Sequence, residues 1–176
     1  MGDGEEAEVA ALVEAIEQGT DAIAVPQELL HEPEQQKPIA RSLYAQIVAM
    51  TTGEKLKLAL RGNKDARMIL VRDGNKMIRR FVLHNPRITD GEIIAIARNR
   101  SADDEMIRMI ADKREWARNY QVRLALVTNP KTPLPIALKQ VNLLSEADLR
   151  QLAKSKNVSQ TVAAQARRIV LSRGPA

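Results

Sequence analysis

The sequence has no cysteine, which excludes disulfides, thiolate zinc sites and iron–sulfur clusters. Aromatic residues make up 2% of it: Tyr44, Phe81, Trp116 and Tyr120. A core must therefore come from Leu, Ile, Val, Ala and Met, which suits stacked helices and is poor material for a β-sandwich or barrel. No stretch approaches the ~18 apolar residues of a membrane span. The acidic start, MGDGEEAEVAALVEAI, lacks the basic opening and unbroken apolar run of a secretory signal. A cytoplasmic protein is expected. Basic residues are missing from one region altogether. Residues 1–36 hold ten acids and no Lys or Arg, whereas residues 37–176 hold all 27 Lys and Arg against 12 acids, net +15. This asymmetry points to an interaction, within the molecule or with an anionic partner.

What is present in abundance is a repeat. Ile78-Arg79-Arg80-Phe81-Val82-Leu83-His84-Asn85-Pro86 returns 44 residues later as Val122-Arg123-Leu124-Ala125-Leu126-Val127-Thr128-Asn129-Pro130. A step of 22 upstream reaches Leu56-Lys57-Leu58-Ala59-Leu60-Arg61-Gly62-Asn63, and another 44 downstream reaches Ala166-Arg167-Arg168-Ile169-Val170. A fixed period in the range of about 20–50 residues marks a solenoid of stacked supersecondary units. The expected fold is all-α: a right-handed α-solenoid of short helices with an acidic N-terminal helical extension. Residues 1–36 form that extension or cap, residues 37–176 the helical-repeat domain, and about 54–173 the array itself.

Local patterns fill in the elements. Residues 1–4 read as disordered, Glu5 to Gln18 as a helix stopped by Gly19, and 20–37 as a loop with one turn at Gln27–His31. Pro38 is placed as the first residue of a helix to about Thr52, with Ile39, Leu43, Ile47, Val48 and Met50 on its buried face and Gly53 as its end. Helices follow at about 54–61, 65–73, 75–84, 90–99, 101–113, 115–128, 133–141, 145–156 and 158–172. Asn63, Asn85 and Asn129 punctuate helix ends. Thr89-x-x-Glu92 is a capping box, and Ser101-x-x-Asp104 and Ser145-x-x-Asp148, also 44 apart, are read as N-caps.

The segment Val122-Arg123-x-x-Leu126-x-x-Asn129-Pro130-x-Thr132-Pro133 resembles the leucine-rich repeat variant, an all-helical bacterial solenoid that alternates α-helices with short or 3₁₀ helices. Ile78, Arg79, Val82, Asn85 and Pro86 match the same pattern, with Ile88 and Thr89 in place of its Thr-Pro, and Asn63 has no proline after it. The spacing of 22 and 44 differs from that family's unit of about 24, and HEAT-like helical repeats are the neighbouring possibility. The chain is also similar to a bacterial family of uncharacterised repeat proteins. These resemblances imply an architecture and no activity.

Lys57, Arg79, Arg123 and Arg167 share one repeat position, and in a solenoid such positions form a ladder along one face. A basic ladder binds phosphates or an acidic peptide; the structural alternative is that each cation bonds helix-end carbonyls or a neighbouring acid. Arg80, Arg114 and Arg118 extend the basic population, and Trp116 and Tyr120, four apart, lie either in the core or at a hot spot. Gly62-Asn63-Lys64 and Gly74-Asn75-Lys76 lack the second glycine and the strand context of a phosphate loop, so helix stops are the simpler reading. His31 and His84 have no metal-ligand spacing, the carboxylates of Asp103-Asp104-Glu105 point in different directions, and no nucleophile has a base arranged near it. No cofactor, metal or catalytic residue is assigned. The expected function is a non-enzymatic protein-interaction module offering a basic surface to an acidic partner. The alternative is a helical-repeat protein contacting duplex phosphates, with scarce aromatics arguing against single-strand stacking. Residues 1–36 either cap the array or compete for its basic surface.

Overall fold

Each apolar stretch of the chain resolves into a short helix. The computed structural model describes residues 3–35 and 37–174. Among them are twelve α-helices, one turn of 3₁₀ helix at Gln27–Leu29, and no strand. Contacts divide the chain into two compact units, Met1–Ile88 and Thr89–Ala176. Residues 3–35 lie within the first unit.

The first unit holds α1 (Asp3–Gln18), α2 (Arg41–Ala49), α3 (Thr52–Arg61), α4 (Lys64–Leu70) and α5 (Lys76–Val82). α3 is its centre, touching α1, α4 and α5, while α2 packs on α4. Leu56, Leu58, Ala59 and Leu60 of α3 are buried together with Ile16, Leu29, Ile47, Leu70, Ile78 and Val82. Three consecutive buried positions, 58–60, with Leu56 one turn before, put buried side chains on more than one face of α3.

The second unit holds α6 (Asp90–Arg98), α7 (Asp104–Asp112), α8 (Arg114–Ala117), α9 (Tyr120–Thr128), α10 (Leu134–Val141), α11 (Glu146–Lys154) and α12 (Gln160–Arg173). α9 plays the central part, touching α6, α7, α8 and α10, and α10 and α11 pack on α12. Val127, Ala137, Val141, Leu149, Leu152, Val162 and Ala166 form one cluster of its core. The repeat positions 56, 78, 122 and 166 are all at most 1% exposed, so the periodicity marks buried apolar residues. None of the helices formed by the described residues is long and apolar enough to cross a membrane.

Helices this short face a particular difficulty. An α-helix leaves its first four N–H and last four C=O groups without internal partners, and for a nine-residue helix such as α6 that is nearly half of its backbone polar groups. N-termini are served by side chains. Asn63, Asn75, Asp103, Asn119, Ser145 and Ser159 each accept a first-turn amide, and Thr51–Glu54 and Thr89–Glu92 are reciprocal capping boxes.

C-termini are served by the repeated asparagines. The Asn85 amide donates to the carbonyls of Ala59 (3.0 Å) and Gly62 (3.1 Å), which end α3. The Asn129 amide donates to Ala97 (2.7 Å) and Asn99 (3.0 Å), which end α6. Asn63 does the same to Glu28 (2.9 Å) and His31 (3.0 Å), at the end of the 3₁₀ turn. Each asparagine then uses its own oxygen locally: Asn63 accepts from the Ala66 amide, Asn85 from Arg87 and Asn129 from Lys131. All three are at most 5% exposed. Only a side chain with two donors and one acceptor on a short stem fills this role. Gly62 is fixed by the same crowding. Its φ is −67°, but a Cβ there would sit 2.3 Å from the Leu58 carbonyl oxygen and 3.0 Å from the Ala66 Cβ.

Several boundaries differ from the sequence reading. Met1 and Gly2 lie outside the described residues, and α1 begins at Asp3 within the tetrapeptide expected to be disordered. α2 begins at Arg41, because Ala40 is extended at ψ 143°, so Pro38 is not its first residue. Gly53 lies in the first turn of α3, which Thr51 caps. The α7 cap is Asp103; Ser101 instead donates its backbone N–H to Asn99 Oδ1, 2.9 Å away. The helix expected over 115–128 is two, broken by Asn119, which caps α9.

Replacing Asn85 by Ala strands two buried carbonyls and the Arg87 amide. We predict a loss of about 2 kcal/mol in urea denaturation of the full chain at pH 7. Asn119→Ala, which removes an exposed N-cap, loses about 1 kcal/mol by the same measurement.

Candidate binding surface

The four members of the proposed basic row are engaged inside the molecule. In the first unit, Lys57 Nζ donates to Asp21 Oδ1 (2.8 Å) and to the Ile23 carbonyl (2.6 Å). Arg79 donates to the carbonyls of Asp73 (2.5 Å) and Gly74 (3.2 Å), closing the loop between α4 and α5. In the second unit, Arg123 donates to the Ala117 carbonyl and to Gln140 Oε1, both at 3.2 Å. Arg167 donates to the Ala153 carbonyl at 3.0 Å. Arg79 and Arg123 reach back by the same six residues to a loop or helix-end carbonyl. Their shared repeat position therefore serves the backbone.

Acids of the N-terminal segment take up further cations of the first unit. Glu32 holds the guanidinium of Arg67 at 2.7 Å, and the Arg67 side chain is 1% exposed. Arg67 also donates to the Gly62 carbonyl (3.1 Å). Arg87 lies 3.8 Å from Glu32 and donates to the Leu30 and Arg61 carbonyls. Arg61 donates to the Glu17 carbonyl at 3.1 Å. These contacts, with Ile16 and Leu29 in the core, make residues 3–35 an integral part of the first unit.

The pairings fix the ionisation of their acids. The Lys57 ammonium beside Asp21 holds its carboxyl below the ordinary aspartate value, and the amides of Ile23 and Asp21 add to this against partial burial. Burial pushes Glu32 upward, but the Arg67 hydrogen bond, the Lys64 amide and the charges of Arg67 and Arg87 outweigh it and leave it lowered. The Thr51 hydroxyl and amide lower Glu54.

Of the other sequence candidates, Arg80, Arg114 and Arg118 are exposed. The side chains of Arg114 and Arg118 have no hydrogen bond or ion pair with any described residue. Trp116 between them is 6% exposed and lies in the core, with Lys113 Nζ 4.0 Å from the ring centre. The Tyr120 hydroxyl donates to Asp148 and accepts the Ser145 amide, which fastens the cap of α11. The aromatic pair is thus spent on packing and capping. His84 stacks on Phe81 with ring centres 5.6 Å apart. The described residues contain no group of three potential His or carboxylate metal ligands.

A second feature was not read from the sequence. An open cleft of about 480 Å³ is lined by Ile39, Arg41, Tyr44, Met68, Ile69 and Arg72. It lies along α2 and α4, within the first unit. Tyr44 (54%) and Met68 (42%) are exposed to solvent. Val48, expected on the buried face of α2, is 48% exposed and continues the Tyr44 face one turn on. Ile47 is the residue of α2 that the core takes. A sequence signal existed in Tyr44 and Val48 four residues apart, but that spacing fits a core face equally well.

No family model matches this chain, and no curated protein or solved structure shows detectable similarity to it.

Because Asp21 titrates below its ordinary value near 3.9, its pairing stabilises the fold fully above that value, and the contribution is lost as pH falls through the lowered one. Lys57→Met leaves the Asp21 carboxylate, whose side chain is 2% exposed, without its cation. The variant is expected to lose about 2 kcal/mol at pH 7 and to approach the parent chain only as pH falls through the parent's lowered Asp21 value, where the carboxyl protonates in both. Denaturant midpoints measured from pH 7 to pH 3 check this.

Proposed function

We propose that the chain is a non-enzymatic protein-interaction module built as a right-handed helical solenoid, and that it receives acidic segments of a partner protein. The recurrence of the asparagine bond over 44 residues supports the repeat reading, because one side chain solves one stacking problem in each unit. One observation carries the functional reading. The cations at repeated positions are consumed by carbonyls and acids of the chain itself, whereas the side chains of Arg41, Arg72, Arg114 and Arg118 are exposed and have no partner among the described residues. Two of these stand beside exposed apolar side chains. Exposed arginine beside apolar surface is the composition of protein-binding hot spots more than of phosphate grooves.

The net +15 of residues 37–176 favours a competing reading, contact with duplex phosphates. Against it stands the engagement of Lys57, Arg79, Arg123 and Arg167, which removes the regular row that would track a duplex.

Fluorescence anisotropy of the full chain with a labelled Glu-rich peptide, and separately with labelled duplex DNA and RNA, tests the choice. At about 150 mM salt we expect micromolar peptide binding that weakens as salt rises, and no duplex binding. Micromolar or tighter duplex binding under those conditions, with no peptide binding, overturns the proposal.

A further inference from the structure

We infer that the cleft along α2 and α4 is the docking site, and that its occupant is an acidic peptide segment carrying one or two large apolar side chains. This deepens the interaction reading and rests on it.

The floor and the rim of the cleft ask for different chemistry. Ile39, Tyr44, Met68 and Ile69 supply apolar surface. Isolated exposed apolar residues need no explanation, but Tyr44, Val48 and Met68 are gathered within one region and are 42–54% exposed. A volume of about 480 Å³ accommodates one or two large side chains. Methionine suits such a floor because its unbranched thioether adapts to different shapes.

The rim is cationic. Arg41 opens α2 and Arg72 follows α4, and neither side chain has a hydrogen bond or ion pair with a described residue. Acids from the segments on either side of α4 are already committed, Asp73 to Lys55 at 2.9 Å and Glu32 to Arg67. The N-terminus of α2, where Ile39 and Arg41 line the cleft, has no capping side chain and no acid in its first turn. Its uncapped amides add positive potential to that of Arg41. Two unpaired guanidiniums flanking an apolar floor complement carboxylates flanking an apolar anchor. A duplex backbone would leave the floor uncovered, and a basic or neutral segment would leave the arginines unpaired.

The test uses the full chain and a short fluorescein-labelled peptide, Glu-rich, with one Phe and one Leu four residues apart. Three variants are compared: the Arg41→Glu/Arg72→Glu double variant, Met68→Glu, and a Lys131→Glu/Lys156→Glu control, each checked for parental circular dichroism. All five substituted side chains are solvent-exposed, so folding is expected to survive. We expect micromolar binding by the parent chain and the control. Both cleft variants should weaken it by about tenfold or more, and a Lys-rich version of the peptide should bind the Arg41→Glu/Arg72→Glu protein better than it binds the parent. Peptide binding that is lost in the control and retained in the cleft variants overturns this site while leaving the interaction reading intact. Absence of peptide binding to every protein overturns both. Self-association of the parent chain in sedimentation, abolished by Met68→Glu, would assign the cleft to a second copy and overturn the acidic-segment proposal.

Discussion

The structure depends on the buried asparagine side chain that ties off the end of an earlier helix. Helices of seven to ten residues, such as α4, α5, α6 and α3, leave a large share of their carbonyls unpaired at the C-terminus. Burying those carbonyls without partners costs more than the packing of so short a helix returns. Asn63, Asn85 and Asn129 remove that penalty, each with two donors to carbonyls 23–35 residues away. Because each also bonds the amide of the residue two or three positions on, it fixes its own turn and the earlier helix end together. The proline after Asn85 and Asn129 holds that residue out of the helical region and so presents its side chain outward from the helix it ends.

Charge follows the same economy. The acidic segment before residue 36 and the basic remainder of the first unit meet in named pairs: Asp21 with Lys57, and Glu32 with Arg67 and Arg87. Backbone carbonyls absorb Arg79, Arg123 and Arg167. Part of the formal asymmetry along the sequence is therefore resolved as local structure in the first unit. Exposed cations with no side-chain hydrogen bond or ion pair to a described residue include Arg41 and Arg72 in the first unit and Arg114 and Arg118 in the second.

Much of the helical order was legible because capping residues announce it: Thr89–Glu92, Ser145–Asp148 and the stop at Gly19, whose φ is +70°. Less legible were places where two residues competed for one role. Ser101 and Asp103 both precede α7, and the repeat favoured the serine while the aspartate forms the cap. Asn119 interrupts what reads as one apolar helix because its side chain caps the next. The importance of Asn85 and Asn129 was visible as period, but their partners at Ala59, Gly62, Ala97 and Asn99 were not, since no local pattern encodes a bond across more than 20 residues. The cleft was hidden for a similar reason. Tyr44, Val48 and Ile47 all read as apolar helix, and only the packing of α4 on one side of α2 decides that Ile47 is covered and the other two are left open.

The central claim is that three asparagine amides hold the helix ends from inside the core. Proton exchange of side-chain amides in deuterated water, followed by nuclear magnetic resonance on the full chain, reads this directly. The account predicts that the amide protons of Asn63, Asn85 and Asn129 persist as long as the core backbone amides of α3 and α9, while those of exposed Asn75 and Asn157 vanish at once. Rapid exchange at all three buried positions would contradict it, for the helix ends would then be held by something other than these side chains.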